Sequence, residues 1–195
     1  MRFKRCKSCT FIKFYFLVIL VAAVTLRFFP NYAGVVNTAV MVGIPVLLLR
    51  KSPEELGFKN FLSGLKWGIG ASAVILPVYT LLCGLATGYR QVEVEELLNL
   101  ALFYLSVAIS EEVFFRGYLY SEMENEPFLP FISKANFVSS FLFATAHSLI
   151  YYDPSMFKVF FPSLVMGWLF ERSRSIGAPI IFHWLSDIVH RFASC

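Results

Sequence analysis

Charge is scarce in this sequence. Of its 195 residues 15% are Asp, Glu, Lys or Arg, whereas 57% are apolar and 17% aromatic. The mean hydropathy of +0.66 excludes an ordinary soluble domain of average composition. Cysteine is sparse and scattered, at Cys6, Cys9, Cys83 and Cys195. One CxxC, Cys6 to Cys9, without a second pair falls short of the four ligands of a structural zinc site. HExxH and GxSxG are both missing, and no serine or cysteine stands out as a nucleophile, which disfavours covalent catalysis. No internal repeat supports an inverted-repeat transporter. The net charge of +4 forms no basic stripe. Lys and Arg sit at the ends of apolar runs and read as topology signals, so nucleic acid is not an expected partner.

What the chain has in quantity is apolar run. With about 20 residues needed per spanning helix, the length is consumed by about seven helices, six to eight at the limits. The expected fold is an all-α polytopic transmembrane bundle, a single integral domain over residues 1–195. Spans are expected at Phe11–Phe29, Val35–Leu49, Trp67–Ala86, Leu97–Tyr120, Ala135–Leu149 and Met156–Phe170, with a last helix from Gly177 to about Arg191. The basic N-terminus is expected on the cytoplasmic side. No A-x-A cleavage site follows the first run, so it reads as an uncleaved helix and not as a signal peptide. Ser52–Lys66, with Pro53-Glu54-Glu55 after a serine and apolar residues beyond, reads as an amphipathic segment on the inner interface. Ser121–Ser133 reads as a cytoplasmic connection.

Three ionisable groups break the fourth run, in SEEVFFRGY from Ser110 to Tyr118. Intramembrane charge costs roughly 2.5–3.5 kcal/mol per group on insertion scales, so it marks a functional site by default. On a helix Glu112 and Arg116 share a face and can pair. Glu111 projects about 100° away and stays free of that pair. The expected division of labour is therefore Glu112 and Arg116 as support and Glu111 as the chemical group.

All three histidines, His147, His183 and His190, fall in the last third of the chain. His183 and Asp187 are four apart and present an imidazole and a carboxyl on one helix face. At 1.5 Å per residue Glu111, His147 and His183 all lie roughly 10–17 Å below a helix end, near mid-membrane. One carboxylate and two imidazoles at a common depth suit two chemistries. Glu111 can act as general base on a water while the imidazoles polarise a carbonyl or stabilise an oxyanion. Alternatively Glu111, His147 and His183 can ligate a divalent metal such as zinc, which acidifies the water. Both routes hydrolyse an amide. His190, at a helix end, reads as interfacial.

These residues carry a family resemblance. Glu111-Glu112-Val-Phe-Phe-Arg116 resembles the E-E-x-x-x-R motif of the CPBP (Abi) intramembrane proteases, which include the CAAX prenyl endopeptidases. Phe143-Ala-Thr-Ala-His147 resembles their F-x-x-x-H motif, and His183-Trp-Leu-Ser-Asp187 their H-x-x-x-N/D motif. The resemblance covers about Leu105 to His190, within a motif-bearing core expected at 97–190. It implies an all-helical membrane enzyme that cleaves a peptide bond of a membrane-associated substrate, prenylated or not. Carried over, it implies that Glu111 and His147 activate water, that His183 and residue 187 steady the oxyanion, and that Glu112 and Arg116 orient the site. It leaves the cofactor open between a metal and none. The sequence departs from the prenyl endopeptidases at Asp187, where they have Asn; an ionised Asp cannot donate to an oxyanion, so Asp187 either donates in a protonated form enforced by burial, orients His183 or binds a metal. The competing expectation is a non-proteolytic membrane protein, an immunity or scaffold factor or an ion or proton conduit.

Overall fold

The computed structural model describes residues 7–91, 93–123 and 125–193. The basic run 1–6 and the side chains of Cys6 and Cys9 lie outside the described residues. Seven α-helices make the bundle: α1 Lys7–Phe28, α2 Pro30–Gly43, α3 Phe61–Thr87, α4 Val94–Glu112, α5 Lys134–Tyr151, α6 Phe160–Ser173 and α7 Gly177–Ala193. Stretches Thr10–Phe28, Pro30–Leu48, Phe61–Thr87 and Glu96–Glu122 are long and apolar enough to cross a membrane. Helices α5, α6 and α7 are shorter, at 18, 14 and 17 residues, and carry the buried polar groups Asn136, Ser139, Ser140, Ser163 and His183. The chain is an all-α membrane helix bundle.

Pro30 opens α2 one residue after α1 ends. Its missing N–H is no loss in a first helical turn, so the second helix begins five residues earlier than the hydropathy of Val35–Leu49 implies. Helix α2 then loosens into a π turn, Ile44–Leu48.

The stretch Ser52–Lys66 is not one amphipathic helix. Ser52 and Glu55 exchange the two hydrogen bonds of a capping box, Ser52 N–H to Glu55 Oε2 at 2.8 Å and Glu55 N–H to Ser52 Oγ at 3.3 Å. The Ser52 backbone N–H first, and the Ser52 hydroxyl beside it, hold the Glu55 carboxyl below its usual range. The turn ends at Gly57, whose φ of +87° breaks helical continuity. Leu56 is thereby driven into the bundle, 2% exposed, with Gly117 against its carbonyl. The Gly57 carbonyl accepts from the Ile176 N–H. A loop expected on the interface is thus a plug that ties α4 to the α6–α7 link.

Helix α3 lies along α7 because Gly64, Gly68 and Ser72 are spaced four apart on its buried face. A Cβ on Gly68 would stand 2.7 Å from the Ala178 carbonyl. Small residues at this spacing let two membrane helices approach backbone to backbone. That closeness fixes the position of the helix that carries His183.

After Glu112, α4 continues as a π-helix, Val113–Leu119, and a 3-10 turn, Tyr120–Glu122. All seven π residues are buried. Wide turns of this kind are frequent at functional sites. The connection 121–133 folds as an antiparallel hairpin, β1 Pro127–Leu129 and β2 Ile132–Ser133, in register Pro127 to Ser133 and Leu129 to Ile132.

Candidate active site

Three elements converge on one buried cluster: the α4–π junction with Glu111, Glu112 and Arg116, α5 with His147, and α7 with His183 and Asp187. The innermost pair is Arg116 and Glu112, both fully buried and joined at 3.0 Å between Nη1 and Oε1. A buried guanidinium needs more than one acceptor. Arg116 finds the others on α6, where Nη2 donates to the Ser163 carbonyl at 3.0 Å and to its hydroxyl at 2.5 Å. Its Cζ also stands 4.9 Å from the Phe143 ring centre, within cation–π range.

Glu112 Oε1 meets a second donor. His183 Nδ1 lies 2.9 Å away. A carboxylate bound to arginine only accepts, so Nδ1 carries the proton and His183 turns Nε2 towards Glu111. His147 is fixed the same way. Its Nδ1–H donates to the Phe143 carbonyl at 3.0 Å, leaving Nε2 to face the same glutamate. The Phe143 ring lies 4.4 Å from the His147 ring and 5.8 Å from that of His183, between centroids, and so wedges the two imidazoles in place.

Glu111 is the meeting point. Its Oε2 is 3.7 Å from His183 Nε2 and 3.9 Å from His147 Nε2. Both separations exceed a hydrogen bond, and Oε2 is buried without a hydrogen-bonding partner in the protein. Asp187 joins from the outer side, with Oδ2 3.6 Å from His183 Nε2, and its side chain is 30% exposed, the most accessible carboxylate of the group.

The residues singled out from the sequence are therefore neighbours, and Glu111 is separate from the Glu112–Arg116 pair. His190 stands apart, its Nδ1 2.7 Å from the Tyr79 hydroxyl. Sequence reasoning missed Ser163; the hydroxyl of Ser139, one of the polar groups that place α5 inside the bundle, donates to the Phe115 carbonyl within the π-helix at 3.0 Å. Buried serines in apolar helices carry no motif.

The set Glu111, His147 and His183 stands slightly wider than a closed zinc site. Ligands of a tetrahedral zinc at about 2.1 Å stand about 3.4 Å apart, closer than these facing atoms. Among the described residues no three His, Cys, Asp or Glu side chains are disposed to hold a metal ion, and no step below is routed through one.

Fold and site together define a polytopic helical membrane protein with a buried carboxylate–imidazole cluster. The family model described as type II CAAX prenyl endopeptidase Rce1-like matches residues 93–189, the stretch from the start of α4 almost to the end of α7. That stretch, 97 of the 195 residues and just under half of the chain, is similar to this family of CAAX prenyl endopeptidases. No curated protein and no solved structure matches the chain.

Proposed function

We infer that the protein is an intramembrane endopeptidase that hydrolyses a peptide bond of a membrane-associated substrate. The observation that carries this reading is Glu111 Oε2, buried, without a protein partner, and faced by two imidazole Nε2 atoms at 3.7 and 3.9 Å. Two lone-pair-bearing groups that face each other in a low-dielectric site need a donor between them. A water supplies it, one O–H to Glu111 and the other to His147 Nε2.

Glu111 takes the water proton as the hydroxide oxygen attacks the scissile carbonyl. His183, as an imidazolium with its Nδ1–H on Glu112 and its Nε2–H beside Asp187, meets the oxyanion through Nε2–H. Glu111 then returns the proton to the leaving amine as the C–N bond breaks, and no net proton is gained or lost. Asp187 orients His183 from the exposed side. Glu112 and Arg116 hold the imidazole and touch no reacting atom.

The family's prenyl endopeptidases lend a substrate class: a membrane-anchored peptide or protein, prenylated or not. On this reading residues 1–195 form a single integral domain whose working core is 97–190, and the N-terminus is cytoplasmic. Protein reconstituted in vesicles and given prenylated and unprenylated membrane-anchored peptides tests the proposal. Cleavage that disappears in Glu111→Gln and His147→Ala supports it. Unchanged biological function of both variants in the host sinks it in favour of a scaffold, immunity or conduit role.

A further inference from the structure

The β1–β2 hairpin exposes apolar side chains outside the candidate spanning helices. Phe128, Leu129 and Phe131 are 52%, 49% and 75% exposed. Phe131 holds its ring outward from a left-handed backbone, φ +69°, a conformation a bulky residue adopts only where the surroundings impose it. Four consecutive residues, Phe128-Leu129-Pro130-Phe131, are thus apolar and exposed. Contiguous exposed apolar surface marks an interaction site.

The tip is rigidly mounted. Ser133 caps α5 by accepting from the Asn136 N–H at 3.0 Å. Its hydroxyl donates to Glu171 of α6 at 2.5 Å, and the Tyr120 hydroxyl donates to the same oxygen at 2.7 Å. The Phe128 ring packs on Phe137 at 4.8 Å, Phe137 on Phe160 at 5.6 Å, and Phe160 on Phe157 at 5.7 Å. Apolar hairpin tip and apolar outer face of α5 and α6 are one continuous aromatic surface. In a membrane bundle that outer face meets lipid.

Charge at the same end is predominantly basic. Lys51 is tied to Glu122 at 2.7 Å, which fixes the end of α2 beside the hairpin. Around it Arg50, Lys59, Lys66, Lys134, Arg172 and Arg174 are exposed, against exposed Glu54, Glu55 and Glu126. An apolar wedge inside a basic rim suits an anionic lipid leaflet, since aromatic rings favour the headgroup boundary and basic groups near the surface are attracted to anionic headgroups.

We propose that the hairpin tip, Phe128 to Phe131, is a membrane-interface anchor that inserts into the headgroup–acyl boundary of the leaflet at the basic end of the bundle. Its partner is the bilayer itself. Because β2 leads directly into α5 and Ser133 fixes the cap, the anchor sets the depth of the helix that carries His147.

An environment-sensitive fluorescent amino acid at position 131 tests this in full-length protein reconstituted into phosphatidylcholine–phosphatidylglycerol vesicles. A second label at 128 and a control at the exposed loop position 54 complete the set. Emission from 131 and 128 is expected to be blue-shifted from that of 54 and quenched by lipids brominated near the headgroup more strongly than by aqueous iodide. Emission from 131 that matches 54 and yields to iodide overturns the anchor. Protection from both quenchers also overturns it, because a protein surface then covers the tip.

Discussion

His183 is bonded to Glu112 and not to the adjacent Glu111: its Nδ1 stands 2.9 Å from Glu112 Oε1, while its Nε2 stands 3.7 Å from Glu111 Oε2. Consecutive glutamates on one helix have been given different work by the turn of the helix. Glu112 Oε1 is shared by Arg116 and His183, whereas Glu111 turns an unpartnered Oε2 to two imidazoles. From this relationship the roles of the surrounding groups can be tested one at a time.

Glu111→Gln keeps the shape of the side chain and removes its basicity. Hydrolysis of membrane-anchored peptides is expected to fall by about 10²–10⁴-fold, the usual range for a general base. Thermal stability should be unchanged, because Glu111 Oε2 bonds to nothing in the protein. Paired turnover and melting measurements check it, and a large loss of melting temperature would make Glu111 structural.

Arg116→Ala should destabilise the fold by about 3–5 kcal/mol, since it leaves Glu112 buried and unpaired. Arg116→Lys is expected to rescue little. Lysine cannot reproduce the planar fork that spans Glu112 and Ser163. Melting curves in detergent decide this, and a stable but inactive Arg116→Ala would move the guanidinium into the reaction.

Asp187→Asn is expected to retain hydrolysis within about tenfold, because the stronger hold on His183 comes from Glu112 at the other nitrogen. Glu112→Gln should cost more, as the neutral amide supports the His183 tautomer less well. Turnover of the two variants on one peptide gives the order; the reverse order would make Asp187 the principal support.

Gly167→Ala should disrupt the α5–α6 contact. A Cβ there would overlap Asn136 Oδ1, whose side chain donates to the Leu164 carbonyl and accepts from Ser140. Displacing that network and overpacking the seam together are expected to cost about 1–3 kcal/mol or more. A melt at the wild-type temperature would show that Asn136 swings clear at no cost.

Much of the site was legible because a membrane makes polar residues conspicuous. Glu111, Glu112, Arg116, His147, His183 and Asp187 stand out from apolar runs, and the spacing of four that joins Glu112 to Arg116 and His183 to Asp187 follows from helical geometry. The boundaries were less legible. Pro30 suits the end of one helix and the first turn of the next, and only packing chose the second. Ser52-Pro53-Glu54-Glu55 carries a true helix-start signal, realised as a capping box, but the left-handed Gly57 stops the helix after one turn.

The amino-acid sequence alone determined the all-α membrane class and the small set of groups able to do chemistry, because hydropathy and intramembrane charge are local properties of the chain. Tertiary structure alone decided that the free oxygen of Glu111 faces two imidazoles while Glu112 holds one of them. That choice depends on Ser163 arriving from α6 to share Arg116, on Phe143 wedging two imidazoles, and on Gly64 and Gly68 drawing α7 against α3 until His183 reaches Glu112. Apart from the spacing of four between Gly64 and Gly68, these contacts have no sequence period, since each joins helices whose relative positions are set by close packing.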